Sequence, residues 1–166
     1  MEIKRDYYLK KLIEAKNDGL IKTVTGLRRC GKSYLLNTIF YNYLIEEGVK
    51  EDHIIKVALD DTDNEELLNP KNLSKYVKEK IIDKDTYYVI LDEIQLVENF
   101  EGVLNGLLRI TNIDIYVTGS NSKFLSSDII TEFRGRGEDI KIYPLSYYEF
   151  MSVYEGDKFD GWIEYI

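Results

Sequence analysis

The sequence predicts an α/β fold, a mainly parallel sheet with helices packed on both faces. Three observations carry that expectation. Short apolar, strand-like runs alternate with segments of helical periodicity along the chain. One run, Tyr87 to Leu91, is apolar at every position, the pattern of a strand buried on both faces of a parallel sheet. The residues with recognisable chemistry follow such runs, and open α/β sheets collect their ligands at the carboxyl ends of strands. With 166 residues, 44% hydrophobic, 31% charged and only 2 Pro, the chain suits a single globular domain over residues 1–166.

Each element has its own signal. Between Arg5 and Lys16, the apolar positions Tyr8, Leu9, Leu12 and Ile13 recur at helical spacing, and Asn17-Asp18-Gly19 ends the helix. Leu20 to Thr25 reads as the first strand. From Lys32 to Glu47, a stripe of Leu35, Leu36, Ile39, Phe40, Tyr43 and Leu44 marks a long helix, stopped by Gly48. Ile54 to Leu59 is the second strand. Asn69-Pro70 has the chemistry of an N-cap followed by a first helical residue, and Leu73, Tyr76, Val77 and Ile81 continue that helix. Tyr87 to Leu91 is the third strand, and Phe100, Val103, Leu104, Leu107 and Leu108 form another helical stripe. Ile113 to Thr118 is the fourth strand, Ser122 to Phe133 a helix, and Ile140 to Tyr143 a short fifth strand. Ser146-Tyr147-Tyr148-Glu149 is a capping box opening a last helix.

Composition narrows the function. Lys+Arg 22 against Asp+Glu 30 leaves a formal charge of −8, which disfavours a domain that coats a nucleic-acid backbone by bulk charge. One cysteine, Cys30, allows no internal disulfide, and one histidine, His53, argues against a histidine triad or a multi-histidine metal site. Apolar runs such as Tyr87 to Leu91 fall far short of the roughly 18 residues that span a membrane. The charged start, Met1 to Asp6, has no apolar segment behind it, so a cytoplasmic domain is expected.

Gly26-Leu27-Arg28-Arg29-Cys30-Gly31-Lys32-Ser33 matches the phosphate-loop pattern G-x-x-x-x-G-K-[ST], and it lies between a strand and a long helix as that pattern requires. Glycines let successive N–H groups face an anion, while the helix N-terminus adds positive potential. Lys32, expected to be exposed, is placed to reach the β- and γ-phosphates, and the Ser33 hydroxyl to ligate Mg²⁺. The nucleotide-binding candidates are therefore Gly26, Leu27, Arg28, Arg29, Cys30, Gly31, Lys32, Ser33 and the following Tyr34. Cys30 is better read as a small residue at a variable loop position than as a reactive thiol.

The third strand delivers Asp92-Glu93 at its carboxyl end. After a phosphate loop, Asp92 is the candidate to hold the Mg²⁺ water shell, and Glu93 the base that activates water. Asp60 and Asp61, ending the second strand, read as a solvated turn. The fourth strand ends in Thr118-Gly119-Ser120-Asn121. There Asn121 is the first candidate, and Ser120 the second, for a polar contact to the γ-phosphate or the water. Arg134-Gly135-Arg136 follows, with guanidinium groups suited to spreading phosphate charge. Arg5 to Tyr8 are candidates to flank the nucleotide base.

Together these motifs, with Ile90-Leu91-Asp92-Glu93-Ile94-Gln95 and Pro144-Leu145-Ser146 to Glu149-Phe150, resemble the prokaryotic AAA+ superfamily ATPases. The closest resemblance is to the subgroup whose N-terminal ATPase domain precedes a C-terminal domain of unknown function. It implies a three-layer P-loop NTPase fold with five strands in the order 5-1-4-3-2. It implies ATP and Mg²⁺ as cofactors, Asn121 or Ser120 as a sensor, and Arg136 as an arginine finger. Members are usually longer, so the chain is expected to stop before a lid and a C-terminal domain. A homo-oligomer of the native-length protein is implied, with a protein or nucleic-acid target reached through the missing part. Two other readings stay open: a nucleotide-gated switch with little turnover, and a small-molecule kinase, which the position of Glu93 disfavours.

Overall fold

The computed structural model describes residues 5–27, 30–120 and 137–143, with Met151 and Gly156. Its elements are α1 (Asp6–Glu14), β1 (Ile21–Thr25), α2 (residues 32–46), β2 (Ile54–Ala58), α3 (Pro70–Lys80), β3 (Tyr87–Asp92), α4 (Phe100–Leu107), β4 (Ile113–Gly119) and β5 (Gly137–Lys141). Short 3-10 turns at Glu51–His53, Thr62–Leu68 and Ile94–Leu96 join them. The last expected helices, over 122–133 and from Ser146, lie outside the described residues.

All four strand pairings are parallel, in the order β2-β3-β4-β1-β5. Read from the other edge this is 5-1-4-3-2, the expected order. Side-chain alternation splits the core in two. Tyr87, Val89 and Leu91 of β3 pack with Leu73, Val77, Phe100 and Leu104 of α3 and α4. Tyr88 and Ile90 pack on the other face with Leu12 of α1 and Leu35, Leu36 and Phe40 of α2. Every residue of β3 is buried, because each face of the sheet has its own helical layer.

Local chemistry sets the helix ends. Asn69 accepts hydrogen bonds from the Lys71 and Asn72 amides at 3.0 and 3.3 Å, with Pro70 opening α3. Asn17 closes the α1 turn with φ 62°. In α2 the middle stretch, Leu35–Phe40, has π-helical pairing, inserted between α-helical Lys32–Tyr34 and Tyr41–Glu46. The fifth strand runs Gly137–Lys141 instead of 140–143. Its polar start pairs with β1 through backbone bonds that carry no apolar signature, while Ile140 and Ile142 supply the buried part.

Lys22 lies within β1. It is fully buried, donating to Asp114 and, at 3.0 Å, to Asp18. Tyr116 also donates to Asp114, at 2.8 Å, and burial raises its phenol far above the ordinary range.

His53 caps the amino end of β2. Its ring stacks on Tyr87 at 4.4 Å, Nδ1 lies 2.7 Å from Asp52, and Nε2 lies 3.0 Å from Asp83 and 3.8 Å from Asp85. The hydrogen bond to Asp52, aided by Asp83, outweighs burial and raises the imidazole above its usual range. A raised folded pKa contributes stability that is complete below the unfolded value of about 6.5 and is lost as pH rises through the folded value. The stability advantage of the parent over His53→Gln, measured by urea unfolding, is therefore expected to be larger at pH 6 than at pH 9. An advantage that stays constant across that window would contradict the charged pairing.

Candidate functional site

The loop after β1 turns where a side chain has no room. A Cβ on Gly26 would come within 2.5 Å of the Ile142 carbonyl and 2.8 Å of Cys30 Sγ. Gly31 sits at φ 94°, a left-handed conformation that costs other residues energy. Both glycines of the pattern are thus required by the backbone path. Cys30 is buried against this turn, its Sγ 3.9 Å from the Ile142 carbonyl, which fits a space-filling role. Arg28 and Arg29 lie outside the described residues.

Lys32 departs from expectation. It is buried rather than exposed, and Nζ donates to the Gly26 and Leu27 carbonyls at 3.1 and 2.8 Å. An ammonium at the base of a loop rich in backbone carbonyls satisfies its protons on them instead of extending into water. Ser33 and Tyr34 follow on the first turn of α2, both exposed.

Because β4 lies between β1 and β3, the ends of all three strands converge. Ser33 Oγ donates to the two carboxylate oxygens of Asp92 at 2.9 and 2.7 Å. Asp92 is buried, and it also accepts from Thr118. The same Thr118 Oγ1 accepts from the Glu93 amide at 2.8 Å. One hydroxyl therefore holds both acidic residues at the strand end. A serine hydroxyl facing a carboxylate is an all-oxygen donor set, the kind that suits Mg²⁺.

Glu93 takes φ 58°, which breaks the strand and turns its carboxylate towards β4. There Ser120 Oγ donates at 3.1 Å, and Gln95 Nε2 donates from the following turn. Ser120, the second candidate from sequence, is the β4-end residue described against Glu93. Asn121, the first candidate, and Arg136 lie outside the described residues. Asp60 and Asp61 are exposed, with Asp61 accepting from the Asp63 amide, so they form the expected solvated turn.

Thr118 was missed as an individual residue, although its stretch was singled out. Its signal is positional. Leu91 pairs with Val117 across β3 and β4, so the next residue of each strand, Asp92 and Thr118, also meet. Arg5, one of the candidates to flank the base, donates to the Cys30 carbonyl of the loop after β1 at 2.9 Å.

A sequence profile of the family described as AAA domain matches residues 18–151, most of the chain. The chain belongs to the AAA domain family. Two relatives of this AAA chain are both described as uncharacterized proteins. One, from Haemophilus influenzae, is 35% identical over 150 residues, covering 90% of this chain and 37% of the relative. The other, from Methanocaldococcus jannaschii, is 34% identical over 153 residues, covering 90% of this chain and 31% of the relative. The AAA chain therefore spans about a third of the length of these relatives. Among solved structures, the Saccharomyces cerevisiae Hsp104:casein complex aligns with a TM-score of 0.66 at 14% identity, covering 91% of this chain and 28% of that one. The Aeropyrum pernix ORC1 protein in complex with DNA aligns at 0.60 and 13% identity, covering 92% and 48%. At such identities these likenesses show a shared fold, which agrees with the family that the sequence profile gives. Family and fold together support an ATP-binding function of the AAA type. Among the described residues, no helix is long and apolar enough to cross a membrane.

Proposed function

We propose that the chain binds ATP together with Mg²⁺ and hydrolyses it to ADP and phosphate, as the nucleotide-driven part of a longer protein. The observation that carries this reading is the meeting of Ser33 with Asp92, while one threonine hydroxyl, that of Thr118, holds Asp92 and Glu93 together. In this reading the loop from Gly26 to Tyr34 cradles the phosphates, with Lys32 exchanging its two carbonyl partners for phosphate oxygens. Ser33 and Asp92 hold the metal, which when bound offsets the charge on the β- and γ-phosphates. Glu93 takes the proton from an attacking water held beside Ser120. Asn121 as sensor and Arg136 as a finger from a neighbouring copy complete the proposed machinery.

The reading is tested by titrating the protein with ATP in a calorimeter, with Mg²⁺ and then with excess chelator. Binding that weakens at least ~10-fold without the metal is expected, as for other phosphate-loop sites where metal and protein share the phosphates. Absence of ATP binding in both conditions would overturn it.

A second reading, a nucleotide-gated switch with little turnover, is favoured by one contact. The carboxylate of Glu93 is held by both Ser120 and Gln95, and a base so engaged is a poor acceptor for a water proton. Tight ATP binding with negligible phosphate release in the full-length protein would select this reading. The acidic net charge does not by itself exclude a nucleic-acid target, since the fold is shared with the DNA-bound ORC1 protein.

A further inference from the structure

Arg5 stands at the N-cap of α1, where an arginine does little for the helix. It makes no side-chain capping bond, and its positive charge opposes the helix dipole. The residue is nevertheless buried, which is costly for a guanidinium unless its donors find partners. Two of those partners come from distant parts of the chain. One terminal nitrogen donates to the Cys30 carbonyl at 2.9 Å, and the other to the Tyr143 carbonyl at 2.8 Å. The guanidinium lies 4.6 Å from the centre of the Tyr8 ring, and the Tyr8 hydroxyl accepts from the Tyr143 amide at 3.1 Å. Arg5 and Tyr8 thus grip both sides of the Tyr143 residue, just past β5, and Arg5 alone grips the phosphate loop.

The loop contact has a directional consequence. In a trans peptide the carbonyl and the following N–H point in opposite directions. Holding the Cys30 carbonyl against Arg5 therefore aims the Gly31 N–H away from α1. It also keeps a carbonyl dipole from turning towards an anion in the loop. A Cβ on Gly31 would lie 3.5 Å from the same arginine nitrogen, so the guanidinium backs the loop closely.

We propose that Arg5 is a positioning residue for the phosphate loop, and that with Tyr8 it links occupancy of that loop to the chain leaving β5. The inference rests on the ATP-binding reading above. It extends it by giving α1 a role in transmission: a shift of the Cys30–Gly31 peptide on phosphate binding is passed through one rigid, planar group to Tyr143. Lysine cannot substitute, because a single ammonium at the end of a flexible stem does not span two carbonyls in a fixed plane.

The test compares the parent with Arg5→Lys and Tyr8→Phe, using Mg-ATP titration and hydrogen exchange at the Gly31 and Tyr143 amides. In the parent, ATP is expected to increase protection at both amides. Arg5→Lys is expected to weaken ATP binding roughly 10-fold, the scale of one lost charge-assisted bond, and to abolish the response at Tyr143. Tyr8→Phe, which loses only the hydroxyl that accepts from the Tyr143 amide, is expected to show faster exchange and a reduced ATP response at Tyr143 when saturated with Mg-ATP. A purely structural role would lower the melting temperature while leaving the affinity and the Tyr143 response of the folded variant unchanged, and that result would overturn the inference. If Arg5→Lys does not fold, Tyr8→Phe decides, and a Tyr143 response equal to the parent's overturns the link. A parent that binds no ATP is a different outcome, because it removes the ATP reading itself.

Discussion

Glu93→Gln is expected to retain ATP while slowing its hydrolysis by ~10²–10⁴-fold in the full-length protein, the usual cost of losing a general base. The geometry explains why binding and chemistry should separate. Glutamine keeps the length of the side chain and an oxygen that can accept from Ser120. The backbone bond from the residue 93 amide to Thr118 does not depend on the side chain, so Asp92 keeps its hold on that hydroxyl. What disappears is the basicity of the carboxylate. Phosphate release under single-turnover conditions at saturating Mg-ATP reads the effect directly. A hydrolysing parent matched by its Glu93→Gln variant would remove Glu93 from the chemistry.

Lys32→Ala should reduce ATP affinity by about 100-fold or more, since two charge-assisted bonds to phosphate at about 1.5–3 kcal/mol each are lost. Burial of Lys32 adds a second effect. The alanine leaves the Gly26 and Leu27 carbonyls without their ammonium donor, so the nucleotide-free variant is expected to lose about 1–2 kcal/mol of stability as well. Calorimetry with Mg²⁺ reads the first effect and urea unfolding the second. Undiminished affinity would contradict the phosphate-loop assignment, and undiminished stability would contradict the folded-back position of the lysine.

The sheet was legible because its signals are local and strong. An all-apolar run such as Tyr87 to Leu91 and a Gly-x-x-x-x-Gly-Lys-Ser turn each constrain the backbone within a few residues. The same holds for the Asn69 cap. What escaped was set by register or by partners far along the chain. Thr118 acquires its place only once β4 is known to lie beside β3, and the early start of β5 depends on pairing with β1. Lys22 resembles a solvent-facing strand residue until Asp114 is brought beside it. Lys32 was expected to be exposed in an empty site, yet the tight loop offers it backbone carbonyls close at hand. Asn121 and Arg136 remain expectations from the motif pattern.

The strand order also bears on how the molecule comes into being. Strand β1, which leads into the Gly26–Ser33 loop, lies between β4 and β5, and both neighbours arrive late: Lys22 pairs with Tyr116 on one side and Glu138 on the other. A nascent chain extends at roughly 5–20 residues per second, so β1 waits several seconds before either neighbour exists. During that interval the loop has no β4 to bring Thr118 beside Asp92 and no Tyr143 to meet Arg5. Pairings this distant make folding slow relative to helical proteins of similar size. The Gly26–Ser33 loop therefore gains its full set of packing partners only after β4 and β5 have been made.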